Sequence, residues 1–306
     1  MDNKIQTFIF AARSDALFIG NTLPSIINLL EKTDNKITLI LDVRDPSGVL
    51  GSALPQSKLN DITDSIKKLQ SFLNFNFETA TYCPQLIRSQ NRVQFNYPHK
   101  ETHCFRGYPI YGSFKQFFDT DSKYILHLDC DMIFYESPDF SWIQEGARIM
   151  EENEDILCVL PRGGPPTQDG SLHQGTTEYK VDNKRGLYLF KNFTSRHYLI
   201  HRERFLSLLP LEPLWLSWRE PIKSRLFGNG KMLCWEAMVE QALDKSKMWR
   251  ADLMTDRAWS LHPGDRSEEF YQLLPQIIDS VNRNEFPEDQ RGHFDLRLSD
   301  WKYFLN

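Results

Sequence analysis

The sequence is poor in the features that mark secreted and membrane-spanning proteins. It has five cysteines among 306 residues, and none of them stands in a CxxC pair. An odd number of cysteines without paired spacing favours buried thiols in a reducing compartment, the cytosol. No apolar run approaches the roughly 18 residues that a membrane-spanning helix needs. The apolar run near the N-terminus is also too short for a signal peptide.

Positive charge is scarce as well. The chain carries 36 Lys and Arg against 41 Asp and Glu, which gives a net charge of -5 and a pI near 5.9. It also lacks a long basic run, so nucleic acid is excluded as the main partner. A hydrophobic fraction of 41% fits a globular protein with a sizeable core. The length suits one large domain or two small ones.

Apolar strands alternate with amphipathic helices in the first part of the chain. Strands are predicted over 5–12 and 36–42, and helices over 21–31 and 61–73. This alternation is typical of a parallel sheet with right-handed crossovers. Residues 74–107, which are rich in Asn, Tyr, Pro and Arg, are predicted to be mostly loop with one short strand.

The same reasoning extends to the rest of the chain. Further strands are predicted over 156–160, 187–190, 197–201, 248–254 and 257–261, and further helices over 112–118, 141–153, 202–209 and 232–243. A Gly- and Pro-rich loop over 161–185 separates two of these strands. A loop of this length in a compact domain is usually functional or disordered.

The most informative stretch is an apolar strand over 124–128 that continues directly into Asp129, Cys130 and Asp131. In an extended backbone residues i and i+2 point to the same side, so both carboxylates face one side and Cys130 faces the core. Two neighbouring anions raise each other's pKa unless a cation balances them. Mg²⁺ or Mn²⁺, held by carboxylates and substrate phosphate oxygens, would supply that cation.

A solvated acidic turn at the end of a strand would also explain this pair of carboxylates. Apolar residues stand on both sides of the pair, before Asp129 and after Asp131. They place the pair at the carboxyl edge of a buried strand. Open α/β sheets bind their ligands at that edge.

Two later residues could join this chemistry. His262 ends a short apolar strand and would suit Mn²⁺ if the sheet brings it beside Asp131, although a lone His is more often structural. Glu236 lies at the start of a predicted helix, where the helix dipole alone favours a carboxylate. It could equally be a general base that takes a proton from an acceptor hydroxyl. Glu240, one turn later, is the alternative base.

Charged and aromatic residues near the strand edges complete the candidates. Arg13 and Arg106 could pair with a diphosphate, and Asp42 with the edge of a base, although most such residues are only solvated charges. Three indoles could stack on sugar rings or simply fill the core: Trp215, Trp218 and Trp235.

Taken in order, these segments resemble GT-A-fold, nucleotide-sugar-dependent glycosyltransferases, most closely the family 2-like group. Residues 8–13 resemble the first strand and its nucleotide-contacting edge, and 39–42 the second strand with its base-contacting Asp. Residues 126–132 resemble the metal-binding Asp-x-Asp strand. Residues 235–240 resemble the helix start that carries the catalytic carboxylate, and 259–262 the late His of the metal site.

The resemblance implies an α/β GT-A fold, with a Rossmann-like, mostly parallel sheet flanked by helices. It implies one continuous domain whose nucleotide-sugar-binding half covers 1–135. The acceptor-binding half, with a C-terminal arm, then covers 136–306. The implied reaction moves a sugar from a nucleoside-diphosphate sugar, with UDP favoured, to a hydroxyl of a carbohydrate, lipid-linked or other acceptor. Mn²⁺ or Mg²⁺ is the implied cofactor.

The resemblance also assigns roles to individual residues. Asp131 becomes the principal metal ligand with His262 beside it, and Asp129 contacts the ribose or a metal-bound water. Glu236 becomes the base of a single in-line displacement that inverts the anomeric centre. The nucleotide contacts fall on the following residues: Ala11, Arg13, Asp42 and Arg106. The indoles Trp215 and Trp218 and the loop 161–185 would shape the acceptor side.

Two segments depart from the family pattern. The turn at 43–47 lacks the usual Asp-rich, Ser-containing sequence, and the loop 161–185 has no assigned counterpart. One alternative is a binding protein on a decayed transferase fold, but the joint presence of the acidic pair, Glu236 and His262 argues against decay. The other is a haloacid-dehalogenase-type phosphatase. In that family Thr or Val stands two residues after the second Asp, where this chain has Ile133, and the motif usually lies near the N-terminus.

The C-terminal segment 294–305 mixes aromatic and charged residues. Such a pattern is typical of an interfacial helix that contacts a membrane peripherally. It equally suits a tail that packs on its own domain, which is the favoured interpretation.

Overall fold

The computed structural model describes residues 5–33, 36–44, 57–173 and 178–305. The strands are β1 (Ile5–Ala12), β2 (Lys36–Asp42), β3 (Asn76–Thr79), β4 (Tyr124–Asp129), β5 (Ile133–Glu136), β6 (Ile156–Leu160), β7 (Arg162–Gly163), β8 (Tyr179–Asp182), β9 (Leu187–Phe190), β10 (His197–His201), β11 (Trp249–Leu253) and β12 (Ala258–Leu261). The helices are α1 (Ile19–Leu30), α2 (Ser57–Gln70), α3 (Pro84–Phe95), α4 (Tyr111–Lys115), α5 (Trp142–Glu152), α6 (Arg202–Leu206), α7 (Glu220–Phe227), α8 (Trp235–Lys245), α9 (Glu268–Asn282) and α10 (Leu298–Leu305). Two short 3₁₀ helices, Arg13–Leu17 and Glu288–Gln290, complete the elements.

The main sheet has the strand order β3-β2-β1-β4-β10-β6-β11-β9-β8 in the described part of the chain. The first four strands are parallel neighbours. Strand β10 lies antiparallel between β4 and β6, while β11 is parallel to β6. Helices cover both faces, as the continuous burial of strands such as β6 requires. The predicted α/β class, with a large sheet flanked by helices, is therefore confirmed.

A small second sheet, β5-β12-β7, lies beside the main one. Strand β5 begins two residues after Asp131 and pairs antiparallel with β12, with Leu261 opposite Ile133. This pairing brings the residue after β12, His262, back towards the acidic turn. The periodicity of the sequence could not show this proximity, because only the pairing of β5 with β12 creates it.

The main sheet separates two apolar layers. One face packs against α1, α2 and α5, with Leu23, Ile66 and Trp142 among its fully buried side chains. The other face packs against α4, α6 and α8, with Phe114 and Trp235 in its core. Alternate residues of β1 and β4 pack into the two layers, because successive side chains of a strand point to opposite faces of the sheet. The polar groups that end these strands are left at the carboxyl edge of the sheet.

The prediction that residues 74–107 are mostly loop was wrong for one segment. Helix α3 occupies part of it, starting with Pro84 and ending at Phe95, and the next residue, Asn96, caps it with a positive φ of 53°. Two of its buried residues, Asn91 and Gln94, are polar. The apolar periodicity that reveals a helix is therefore weak here, because polar side chains occupy two of the buried positions.

The C-terminal arm packs on the domain. Trp301 of α10 is fully buried and donates its indole N–H to Gln290 Oε1 at 3.0 Å, and Lys302 pairs with Glu269 of α9 at 2.6 Å. The favoured interpretation of this segment, a tail packed on its own domain, agrees with these contacts. Among the described residues, no helix combines the length and apolar character needed to cross a bilayer.

We expect Trp301→Ala to lower the free energy of unfolding by about 3–5 kcal/mol, because it removes a buried indole and leaves a cavity. Chemical denaturation followed by circular dichroism measures this change. Tyr303 of the same helix is 90% exposed, so Tyr303→Ala is the matched control and should change stability by less than about 0.5 kcal/mol. Equal losses in the two variants would show that the arm is not anchored through Trp301.

Candidate active site

The acidic pair lies where β4 ends and β10 begins. Asp129 is the last residue of β4, and its backbone N–H donates to the carbonyl of Arg196 at 2.7 Å. The backbone N–H of Met132 returns to the Asp129 carbonyl at 3.2 Å, which closes a turn over the next two residues. The predicted extended backbone through Asp131 was therefore wrong. Cys130 nevertheless packs into the core as predicted, because the turn directs it there.

The Asp131 carboxyl is buried, and only one of its two oxygens has a hydrogen-bond partner among the described residues. Its Oδ2 accepts from Arg266 Nη2 at 2.8 Å, while its Oδ1 is buried with no hydrogen-bond partner among the described residues. Burial, and next the charge of Asp129, raise the pKa of the Asp131 carboxyl. Three cationic or ionisable neighbours oppose this rise: Arg196, His262 and Arg266. A buried carboxylate oxygen without a partner is costly, and a bound cation would satisfy it.

A third carboxyl group joins the pair from the end of β1. Asp15 lies in the 3₁₀ helix after β1, and its Oδ2 accepts the backbone N–H of Ala12 at 2.7 Å. Burial, and next the charge of Asp131, raise the pKa of Asp15 to about 7. Sequence reasoning missed this residue. Its weak signal was an Asp three residues after a buried strand, near the edge where ligands bind.

His262 lies close enough to Asp131 for its charge to oppose the rise in the pKa of that carboxyl. Its Nδ1 is 2.9 Å from Asp295 Oδ1, and its ring stacks on Phe294 with 5.8 Å between the ring centroids. The Asp295 contact orients the imidazole. Because Asp295 engages Nδ1, Nε2 is the ring nitrogen that a metal ion would bind. The role of His262 as a metal ligand stays a prediction.

Arg196 links the acidic pair to the predicted catalytic carboxylate. Its Nη1 lies 3.8 Å from Asp129 Oδ2, while Asp129 Oδ1 lies 3.2 Å from His127 Nε2. Burial lowers the pKa of Arg196, but the charges of Asp129, Asp131 and then Glu236 raise it above its ordinary value. The sequence carried no signal for this residue, since it stands in a connection between two strands.

Glu236 occupies the first turn of α8, as predicted. Its Oε1 accepts the backbone N–H of Ser195 at 3.3 Å. Burial raises the pKa of Glu236, although the Arg196 charge and the Ser195 hydrogen bond oppose this rise. A raised pKa brings a carboxyl group closer to the range in which a general base works at neutral pH. Glu240, the alternative base, lies further along α8 and lines neither of the cavities described next.

Two cavities meet at Glu236. The smaller, of about 210 Å³, lies above β1 and β4 and is lined by Arg106, Asp129, Arg196 and Glu236 among others. The larger, of about 330 Å³, lies above β6 and β11, and Glu236 also contributes to its wall. We call them the β4 cavity and the β11 cavity. One carboxylate thus faces two adjacent spaces at the carboxyl edge of the sheet.

The segment 161–185, predicted to be a loop, contains the strands β7 and β8, and its described residues contribute to the β11 cavity. Pro161, Gly163 and His173 line the cavity, and the N–H of His173 donates to the carbonyl of Gly292 at 2.8 Å. Gly164 has a positive φ of 81°, and a Cβ there would lie 2.3 Å from the His293 carbonyl oxygen. Only glycine permits this close approach between the loop and the C-terminal arm.

The residues that were predicted to contact the nucleotide lie in different surroundings. Arg106 lines the β4 cavity together with Asp129. Arg13 is buried and donates to the Val43 carbonyl at 2.8 Å, and Ala11 is buried within β1. Asp42 Oδ2 lies 2.8 Å from His103 Nε2.

The carboxyl group of Asp42 is engaged within the protein. Burial raises its pKa, but the hydrogen bond and charge of His103 and the hydrogen bond from the Arg44 backbone N–H outweigh burial and lower it. An ionised Asp42 can still accept from a base through a remaining lone pair, although His103 engages its Oδ2 and the Arg44 backbone N–H engages its Oδ1. The part of the 43–47 turn beyond residue 44 lies outside the described residues.

The indoles do not share one role. Trp235 is buried against Phe193 and Tyr198 and reaches the wall of the β4 cavity. Trp215 packs edge-on against His99, and neither Trp215 nor Trp218 lines either cavity. The expectation that Trp215 and Trp218 shape the acceptor side finds no support in these positions.

The residues of the acidic turn suit a divalent ion that takes its remaining ligands from the phosphates of the substrate. No group of three or more His, Cys, Asp or Glu converges to hold a metal within the described ranges 5–33, 36–44, 57–173 and 178–305. The unpartnered Oδ1 of Asp131 and the neighbouring Asp129 nevertheless suit a hard cation. Mg²⁺ and Mn²⁺ sites often use one or two carboxylates and take their other ligands from phosphates and water. The chain would hold such an ion through Asp131 and Asp129, with His262 nearby.

Comparison with known proteins gives distant structural likenesses. No family model matches the chain, and no curated protein matches it in sequence. A UDP-glucose pyrophosphorylase complexed with UDP-glucose is 9% identical, with a TM-score of 0.45 over 91% of this chain and 99% of the other. The galactosyltransferase LgtC, in complex with donor and acceptor sugar analogs, is 9% identical, with a TM-score of 0.39 over 94% and 99%. A fragment of S. aureus TarS with UDP-GlcNAc is 11% identical, with a TM-score of 0.41 over 91% and 66%.

Proposed function

We propose that the protein is a metal-dependent glycosyltransferase that moves a sugar from a nucleoside-diphosphate sugar, with UDP favoured, to an acceptor hydroxyl. The observation that carries the proposal is the position of Glu236 between two cavities. A transferase must hold two substrates beside one base, and this geometry provides both spaces at the carboxyl edge of the sheet.

The β4 cavity is proposed to receive the diphosphate end of the donor. Arg106 and Arg196 line it, and guanidinium groups recognise phosphate oxygens. Mn²⁺ or Mg²⁺, when bound, would stabilise the negative charge that develops on the departing diphosphate. Asp131 and Asp129 would hold the ion, with His262 beside them. Residues 1–135 would thereby form the donor half, and 136–306 the acceptor half.

The β11 cavity is proposed to receive the acceptor. Arg250 and Asp252 in its wall neutralise each other through two hydrogen bonds of 2.8 and 2.6 Å. Phe193 and Phe294 supply apolar surface, and Asn192 supplies amide groups. Apolar surface, amide groups and carboxyl groups in one wall fit a polyhydroxylated molecule, so the acceptor group that reacts is proposed to be a carbohydrate hydroxyl.

Glu236 is proposed to take the proton from that hydroxyl as its oxygen attacks the sugar. Its raised pKa favours this step, because a stronger base removes the proton more readily. Attack from the β11 side on a donor held in the β4 cavity is a single displacement, which inverts the anomeric centre. We place the reaction in the cytosol, where the free state of all five cysteines is maintained.

Thermal melting with nucleoside diphosphates tests the donor assignment. We expect UDP with Mn²⁺ to raise the melting temperature and UDP or Mn²⁺ alone to raise it much less, because the diphosphate completes the metal site. Ligand at about 100 times its Kd stabilises a native protein by about 2.7 kcal/mol. GDP, ADP and CDP under the same conditions establish the base preference.

The controls separate donor binding from general ion effects. Ca²⁺ at the same concentration and UDP with a chelator should both leave the melting temperature near that of the free protein. If no nucleoside diphosphate shifts the transition with either Mn²⁺ or Mg²⁺, the transferase assignment is wrong.

A further inference from the structure

Helix α7 and the turn before it expose an unusual amount of apolar surface. Trp218, Ile222 and Leu226 are 74%, 52% and 63% exposed, and they follow one another at a spacing of four residues. Residues four apart share one face of a helix, so Ile222 and Leu226 form a stripe on α7, and Trp218 precedes them in the turn that leads into the helix. Phe227, 71% exposed, widens the stripe at its end. We call this surface the α7 stripe.

The opposite face of α7 is polar and buried, the reverse of an ordinary surface helix. Ser224 is buried and donates from Oγ to Glu101 Oε2 at 2.5 Å. Glu220 is also buried, and its Oε2 accepts the backbone N–H of Lys231 at 3.0 Å. Glu101 Oε1 accepts the backbone N–H of Gly230 at 2.8 Å. Hydrogen bonds thus hold the helix with its apolar side turned outward.

The orientation of α7 is fixed by close packing. A Cβ on Gly230 would lie 2.7 Å from the Glu220 carbonyl oxygen, the Ser224 Cβ and the Trp215 ring. Gly228 ends the helix with a positive φ of 68°. A simple rotation that would bury the α7 stripe is therefore blocked, and the apolar surface is a built feature.

The charge around the stripe identifies the partner. Between residues 213 and 234 the chain has four Lys and Arg but one acidic residue, Glu220, whereas the whole chain has a net charge of -5. Arg219 lies over the Trp218 ring at 5.1 Å, and Arg225 has no ion pair within the described part of the chain. Exposed apolar and aromatic side chains flanked by cations are the pattern of a helix that lies in the interface of an anionic bilayer.

We propose that the α7 stripe docks the protein on an anionic lipid surface, with Trp218, Leu226 and Phe227 inserted at the level of the headgroups. The stripe lies close to the site along the chain. Lys231 pairs with Leu216 through a 3.0 Å backbone hydrogen bond, and Cys234, three residues later, lines the β4 cavity. The proposal is independent of the transferase assignment, because docking requires no turnover.

Vesicle co-sedimentation of the full chain tests this docking. We expect binding to mixed phosphatidylserine–phosphatidylcholine vesicles and much weaker binding to pure phosphatidylcholine. The double variant Leu226→Ser, Phe227→Ser should lower the partition coefficient at least about tenfold, because it removes two inserted side chains. Arg219→Gln and Arg225→Gln should each lower it about fivefold, and added salt should reduce the effect of both.

Matched variants locate the contact. Phe72 is as exposed as Leu226 but lies beyond the end of α2, so Phe72→Ser should bind vesicles like the wild type. Tyr303→Ser examines the C-terminal arm and should also bind normally. All of these positions are exposed, so circular dichroism should show folded proteins throughout. The proposal is overturned if the wild type ignores anionic vesicles, if the double variant binds equally well, or if Tyr303→Ser loses as much binding. Self-association through the stripe without vesicle binding would likewise overturn it.

Discussion

Glu236→Gln is expected to reduce kcat for sugar transfer by about 10²–10⁴-fold, the usual contribution of a general base. The amide keeps the size of the side chain and can still accept from the Ser195 N–H, so the fold and both cavities should remain. It cannot take a proton from an acceptor hydroxyl. Steady-state kinetics with a defined donor and acceptor would measure the loss, while melting with UDP and Mn²⁺ should show unchanged donor binding.

The pH dependence of the wild type should carry the signature of Glu236. Burial raises its pKa above the ordinary value of 4.5, and the base acts only when ionised. The acid limb of the kcat profile should therefore lie above pH 4.5, with activity rising as Glu236 loses its proton. In Glu236→Gln the residual rate should lose this limb.

The same pKa shift affects stability with a definite sign. A carboxyl group whose folded pKa exceeds its unfolded pKa stabilises the protein only while protonated. That contribution is lost as the pH rises through the folded pKa. Glu236→Gln should therefore be at least as stable as the wild type at pH 7, and the difference should shrink in acid. Thermal melting at several pH values measures it.

Glu240→Gln is the matched control, since it makes the same change one turn later on α8. We expect near-normal kcat in this variant, because Glu240 lines neither cavity. If Glu240→Gln lost activity and Glu236→Gln kept it, the base would be misassigned, and a different arrangement of the acceptor would be required.

Asp131→Asn is expected to lower the affinity for UDP in the presence of Mn²⁺ by at least about 100-fold. Loss of groups that merely orient metal ligands costs about 10–100-fold, and Asp131 would be a ligand itself. Transfer activity should fall in parallel at fixed donor concentration. Isothermal titration of UDP with and without Mn²⁺ measures the effect, and the variant should resemble the wild type studied without metal.

Two comparisons make this result specific. Arg266→Gln removes the partner of Asp131 but leaves the carboxylate, so Mn²⁺-dependent binding should survive or strengthen. Asp295→Asn removes the hydrogen bond to His262 and should weaken metal dependence less than Asp131→Asn does. If Asp131→Asn bound UDP and Mn²⁺ as the wild type does, the acidic turn would not be the metal site.

Several parts of the fold were readable from the sequence for one physical reason. Strands buried on both faces must be continuous apolar runs, so β1, β2, β6, β9 and β10 were predicted with the bounds that the structure shows. Helix α3 escaped because two of its buried positions, Asn91 and Gln94, are polar. The α7 stripe was equally hidden, since an exposed apolar face has the same sequence pattern as a buried one.

The residues of the candidate site also fall into two groups, those that the sequence revealed and those that it did not. The residues that follow buried strands or open a helix, namely Asp129, Asp131, Glu236 and His262, stood out because polar groups at those positions need a reason. Arg196 and Arg266 did not, because their sequence neighbourhoods are ordinary, and Asp15 carried only a weak signal, because two residues separate it from β1. The order of the strands decided their role. It set β10 beside β4 and β12 beside β5, and so concentrated three carboxyl groups and two guanidinium groups from distant segments around a single turn. The sequence by itself determined which groups need a partner, and the tertiary structure alone determined which partners they meet.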